Sequence, residues 1–187
     1  MKKQSSHIKK VLQLEPKSNA WQNLIQILEN SGQYESAIKI YDRKLRFQPE
    51  DANIWNRRGL MLEKLNRYDE ALIAFKEAKR NSEKILKYKP EDADSWFQKG
   101  LALTGIRQYK EAIFAYQNVL KIEPDFAPAL YNIACCYTQE DNSELAIHNL
   151  QKAIILNREL YLRDAKIDSD FDRIREYPSF QALFEAE

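Results

Sequence analysis

Tryptophan recurs in this chain at Trp21, Trp55 and Trp96, 34 and then 41 residues apart, and the same residue types follow each one at fixed offsets. Sixteen residues on stand Ala37, Ala71 and Ala112, and twenty on stand Tyr41, Phe75 and Tyr116. A fourth unit continues the phase with Leu130, Ala146 and Leu150. Another aromatic column, Tyr34, Tyr68 and Tyr109, lapses to Ser143 in that unit, while Pro49, Pro90 and Pro124 close the first three. Columns sharing one phase constrain the fold more tightly than composition does. A unit of this length is one supersecondary motif that cannot bury its apolar face alone, so the copies must stack.

Within each unit the apolar residues recur at helical spacing. Trp55, Gly59 and Leu62 make one face, and after a turn Ala71, Leu72, Phe75 and Ala78 make a second, which predicts two amphipathic helices per unit. The prolines, lacking an N–H, stop one helix before the next begins. Asn30-Ser31-Gly32, Asn66-Arg67 and Asp141-Asn142 supply the turns between paired helices. No stretch alternates with period two over strand length, so no sheet is expected.

These columns resemble the tetratricopeptide repeat (TPR) family, whose pattern runs Trp, then Gly or Ala four residues later, then Tyr, Ala, an aromatic, Ala and Pro. Gly59, Gly100 and Ala134 fill the small position and Ile25 departs from it; Ala78 and Ala153 fill the last Ala column, but Lys44 and Val119 do not. The resemblance implies an all-α fold, a right-handed superhelical solenoid of antiparallel helix pairs. Its repeats are expected at 18–51, 52–92, 93–126 and 127–159, between terminal segments 1–17 and 160–187.

The 41-residue interval places seven extra residues between Phe75 and Pro90. Seven residues are close to two helical turns and keep the buried face in phase. The second helix of that unit is therefore expected to run from about Asp69 to Tyr88 and to overhang its neighbours by roughly 10 Å. A break at Asn81-Ser82, with Ser82 capping a short separate helix, is the alternative.

At the start, Ile8, Val11, Leu12 and Leu14 followed by Pro16 read like the second helix of a repeat. Such a helix covers the first unit or is the remnant of a longer array. At the end, Arg158 stands where Pro is expected and the phase lapses. Ala165, Asp168, Asp170-Phe171, Ile174, Pro178, Phe180 and Leu183 resemble the segment that terminates many bacterial TPR arrays. Phe171, Ile174, Phe180, Leu183 and Phe184 are expected to lie on the end of the stack as a cap.

Composition narrows the function. With 29 basic and 28 acidic side chains the net charge is +1, which leaves no strong field to recruit nucleic acid. Residues 1–17 carry five lysines against one glutamate without an adjoining apolar run of signal-peptide length, and read as a solvated terminus. No membrane span is expected, and the localisation expected is cytoplasmic. Cys135 and Cys136 are adjacent and awkward to bridge, so they read as small packing residues. His7 and His148 have no ligand spacing to them, so neither a metal nor a cofactor is expected. There is no Gly-rich phosphate loop and no nucleophile elbow. Asp168 and Asp170 read as a helix start rather than a catalytic pair, and the chain is expected not to be an enzyme.

In the TPR family the first helix of each repeat lines a concave groove. Phase assigns to it Asn19, Gln22, Asn23 and Gln26 in the first unit and Asn53, Asn56, Arg57, Leu60 and Lys64 in the second. The third contributes Asp94, Phe97, Gln98 and Leu101, and the fourth Tyr131, Asn132 and Cys135. Amide side chains donate and accept, so a row of them suits the backbone of an extended peptide; alternatively, amides simply keep a concave surface soluble. Phe97, Leu101 and Tyr131 are expected to form an apolar pocket, and Arg57 with Lys64 to hold an acidic side chain or terminus. The family's clamp for chaperone tails needs Lys, Asn and Arg on successive first helices. Here those positions carry Gln22 and Gln26, then Arg57, then Asp94 and Gln98, and a shift by one unit brings Pro128 and Asn132, so that clamp is not expected. The function implied is a non-enzymatic scaffold or adaptor for a protein or peptide partner. Self-association into a homo-oligomer, or service as the regulatory or docking part of a larger enzyme complex, are the alternatives.

Overall fold

The computed structural model describes the backbone of residues 19–185 and the side chains of residues 21–185. The helix expected within 1–17 lies outside the described residues. Helices alone build the described part: α1 (Asn19–Asn30), α2 (Tyr34–Phe47), α3 (Ala52–Lys64), α4 (Tyr68–Leu86), α5 (Ala93–Gly105), α6 (Tyr109–Ile122), α7 (Ala127–Gln139), α8 (Ser143–Leu156), α9 (Arg158–Ile167) and α10 (Pro178–Glu185), with one turn of 3-10 helix at Ser169–Phe171. No strand occurs among the described residues.

Each helix pair turns through one residue with left-handed backbone: Gly32, Asn66, Arg107 and Asp141, with φ of 69°, 58°, 61° and 56°. The next N–H then reaches the carbonyl five residues back, Gln33 to Leu28, Arg67 to Leu62, Gln108 to Leu103 and Asn142 to Tyr137. This is a Schellman stop that satisfies the last carbonyls of the first helix. Asp51 and Asp92 cap α3 and α5 by accepting from the N–H of Ile54 and Ser95. The indole N–H of Trp55 donates to the Pro49 carbonyl at 2.8 Å, and that of Trp96 to the Pro90 carbonyl at 2.8 Å. The Pro and Trp columns therefore mark one physical joint.

Two compact units divide the chain, residues 1–82 and 83–187. In the first, Trp21, Leu28, Ile40, Tyr41, Leu62 and Phe75 are fully buried. Gly59 lies directly beneath Phe75, where an added Cβ would stand 2.6 Å from the ring. Helix α4 has 19 residues against 14 for α2, about 7.5 Å more at 1.5 Å per residue. It runs unbroken through Asn81-Ser82. The Ser82 hydroxyl donates back to the Ala78 carbonyl at 2.8 Å, which keeps the residue inside the helix rather than at its start.

In the second unit Gly100 lies against the ring of Tyr116 in the same way. Leu103, Ala112, Tyr116, Val119, Ile133 and Cys136 make one core cluster. A second cluster joins Leu130, Leu150 and Ile154 to Tyr161, Phe171, Ile174, Phe180 and Leu183 of the terminal segment. Asn157 ends α8 and caps α9, accepting from the Leu160 N–H. Arg175 then holds the following turn by donating to the carbonyls of Lys166 and Asp168 at 2.7 and 2.8 Å. No helix among the described residues is long and apolar enough to cross a membrane.

Candidate functional site

The amide-rich residues of the first unit come together. Gln22 and Gln26 from α1 and Asn53 and Arg57 from α3 line an open cleft of about 460 Å³, shared with Ile25, Glu29, Asn30, Tyr41, Lys44 and Ile54. The spacing of four on each helix places Gln22 with Gln26, and Asn53 with Arg57, on a single face. Asn19 begins α1, and its side chain lies outside those described. Asn23, Leu60 and Lys64 are exposed but do not line the cleft. Lys44, from α2, contributes a lysine to the cleft.

The floor of the cleft is charged. Glu29 is largely buried, its side chain 17% exposed, and it accepts from the Tyr41 hydroxyl at 2.6 Å while facing the Arg57 guanidinium at 3.4 Å. Burial, and then the hydrogen bond to Glu29, push the Tyr41 phenol far above its ordinary range, so it remains a neutral donor. The Glu29 carboxylate is thereby compensated on both oxygens. Lys44 makes no ion pair with the described residues, which leaves the cleft one positive charge in excess.

Three residues expected in the groove are instead buried. Asn56, 1% exposed, lies on the α3 stripe that carries Ala52 and Gly59. Gln98, 4% exposed, shares a stripe with Ser95 and Ala102, and its amide donates to Asp94 at 3.2 Å. Cys135 belongs to α7, which buries residues on all sides. Phase alone allots each first helix one buried stripe, whereas the helices packed around it cover more of it.

Phe97, Leu101 and Tyr131, expected to form an apolar pocket, are half-buried, each packed in part on the chain itself. Phe97 stacks between Tyr116 and Phe126, centroids 5.7 and 5.1 Å away, and Leu101 packs against the same cluster. Tyr131 stacks on Tyr161 and Phe171 at 5.3 and 5.5 Å, and its hydroxyl donates to Asp168 at 2.8 Å. Asn132 turns its amide back to the Pro128 carbonyl at 2.7 Å. Asp94 remains exposed.

Cys135 Sγ and carboxylate oxygens of Asp168 and Asp170 lie within 4.8 Å of one another. Asp168 caps the 3-10 turn, accepting from the Asp170 N–H at 3.0 Å as well as from Tyr131, which is the helix-start role expected of it. Burial and then the two carboxylates push the Cys135 thiol well up, opposing the thiolate that metal ligation uses. The grouping reads as the lock between α7 and the terminal segment.

Models of the tetratricopeptide repeat match residues 23–84, 93–126 and 127–159. The chain belongs to the tetratricopeptide repeat family. Membership places it among protein–protein interaction scaffolds, a family whose fold is typically non-catalytic. No curated protein matches it in sequence. Among solved structures it is similar to TTC0263, a thermophilic TPR protein of Thermus thermophilus, with 17% identity, coverage of 87% of this chain and 93% of that one, and a TM-score of 0.55. It is also similar to MamA from residue 41 onward of Desulfovibrio magneticus RS-1, with 24% identity, coverage of 89% and 93%, and a TM-score of 0.50. At these identities the likeness is one of fold.

Proposed function

We propose that this TPR protein is an adaptor that holds a segment of a partner polypeptide in the cleft between α1 and α3. The observation that carries the reading is the convergence of Gln22, Gln26, Asn53 and Arg57 on one open cavity, whereas Phe97, Leu101 and Tyr131 of the second unit are half-buried against its core clusters. A row of amides offers paired donors and acceptors to a peptide backbone whatever its side chains. A volume of about 460 Å³ takes a few residues of extended chain, in the range of ordinary ligand clefts. Membership in a scaffold family supports the same conclusion.

The experiment is affinity purification from the native cell with the wild-type chain and with a Gln22→Ala, Gln26→Ala, Asn53→Ala triple variant. All three side chains are exposed, so the variant keeps its fold. Loss of a protein that the wild type recovers supports the cleft; undiminished recovery of every partner moves the site elsewhere.

A further inference from the structure

The cleft is where the chain departs from its own period. At the position four residues after the repeat's first column, the other repeats carry Gly59, Gly100 and Ala134, all buried; the first repeat carries Ile25. At the position twenty-three residues after it, the others carry Ala78, Val119 and Ala153, each no more than 1% exposed; the first repeat carries Lys44, which is half-buried. Both departures line the cleft. In the second and third repeats the small residue lets an aromatic ring settle on the backbone. In the first, Ile25 fills that space, and an ammonium replaces the small apolar residue of the other copies.

The charges around the cleft fix what the occupant must supply. Glu29 is answered by the Tyr41 hydroxyl and Arg57, and Arg57 keeps its side chain 53% exposed. Lys44 has no carboxylate among the described residues. We propose, resting on the reading of the cleft as a peptide site, that it selects an acidic partner segment, with an Asp or Glu side chain seated between Lys44 and Arg57 and the flanking backbone on Gln22, Gln26 and Asn53. A carboxylate between an ammonium and a guanidinium forms charge-assisted hydrogen bonds, stronger than the amide contacts around it.

The test uses the full chain, labelled with nitrogen-15 and titrated at low salt with four synthetic peptides. The first is acetyl-Gly-Ser-Glu-Ser-Glu-Ser-Gly-amide; the second and third replace both Glu by Gln or by Lys; the fourth is the Gln peptide with a free C-terminal carboxylate. The Glu peptide is expected to shift amide resonances within residues 22–57 saturably and to bind about ten-fold more tightly than its Gln counterpart. Lys44→Ala, which installs the residue found at Ala78 and Ala153, is expected to remove that difference while leaving the remaining spectrum in place. Lys44→Glu is expected to turn the preference toward the Lys peptide. Equal binding of Glu and Gln peptides in the cleft overturns the acidic preference and leaves the peptide-site reading standing. A free-acid Gln peptide that matches the Glu peptide assigns the contact to a chain terminus and overturns the side-chain claim. Absence of shifts within 22–57 with every peptide overturns the proposal, and the purification with the triple variant then decides the broader reading separately.

Discussion

The first and third repeats share one register and differ in what they do with it. In the third, Gly100 lets Tyr116 lie on the backbone, the Tyr116 hydroxyl meets Thr104 at 3.2 Å, and Val119 seals the remaining gap. In the first, Ile25 takes the glycine's place, Tyr41 meets Glu29 in the position of Thr104, and Lys44 replaces the sealing valine. A small residue, a hydroxyl and an apolar plug give a closed core; a branched residue, a carboxylate and an ammonium give an open, charged cleft. The lesson is that one repeat of a scaffold can give up close packing and open a cleft, because neighbouring repeats supply the stability.

The largest expected contrast is chemical. Burial pushes the Cys136 thiol up to about 11 and also raises that of Cys135, so both are expected to react with a disulfide reagent at pH 8 about a thousand-fold more slowly than in the unfolded chain. The sign is fixed. A folded pKa above the unfolded one gives stability that is complete below the unfolded pKa and is lost as pH rises toward 11. Rapid native labelling at pH 8 breaks the description of this region as closed.

Next in size is the exchange Gly100→Ile, which gives the third repeat the residue of the first. Even a Cβ at Gly100 runs into the Tyr116 ring, so a loss of about 3 kcal/mol is expected by urea unfolding. An unchanged midpoint contradicts the account of how that repeat closes. The smallest contrast is at the turns, where Gly32 and Arg107 hold the same left-handed conformation. Arg107→Gly is expected to gain, and Gly32→Ala to lose, about 1 kcal/mol in thermal unfolding. Changes of the same sign at both turns blunt the comparison.

Much of the fold was legible because the period is carried by residues with strong steric roles: Trp and Pro at the joints that open the second and third repeats, Gly beneath the rings of Phe75 and Tyr116. The continuity of α4 was not, since Asn81-Ser82 suits a break as well as a helix until Ser82 is seen bonding back to Ala78. Four of the ten residues lining the candidate cleft were legible. Gln22, Gln26, Asn53 and Arg57 follow from helical phase, but Asn56 and Gln98 do not, because burial by neighbouring helices widens the apolar stripe beyond what one helix shows. Lys44 was visible as a lysine in an alanine column, yet it sits on a second helix, and attention to first helices alone passes over it. Glu29 carries no motif and Tyr41 reads only as a core aromatic of its column; their 2.6 Å contact gives them a role in the cleft.

The central claim is that the partner meets the first repeat's cleft, and photo-crosslinking in the native cell tests it most directly. A benzoylphenylalanine in place of Gln26, on the cleft wall, is compared with one in place of Leu101, the matching position of the third repeat. The account predicts a partner adduct from position 26 that is lost with Lys44→Glu, and none from position 101. An adduct from position 101 alone, or one from position 26 indifferent to Lys44→Glu, contradicts it.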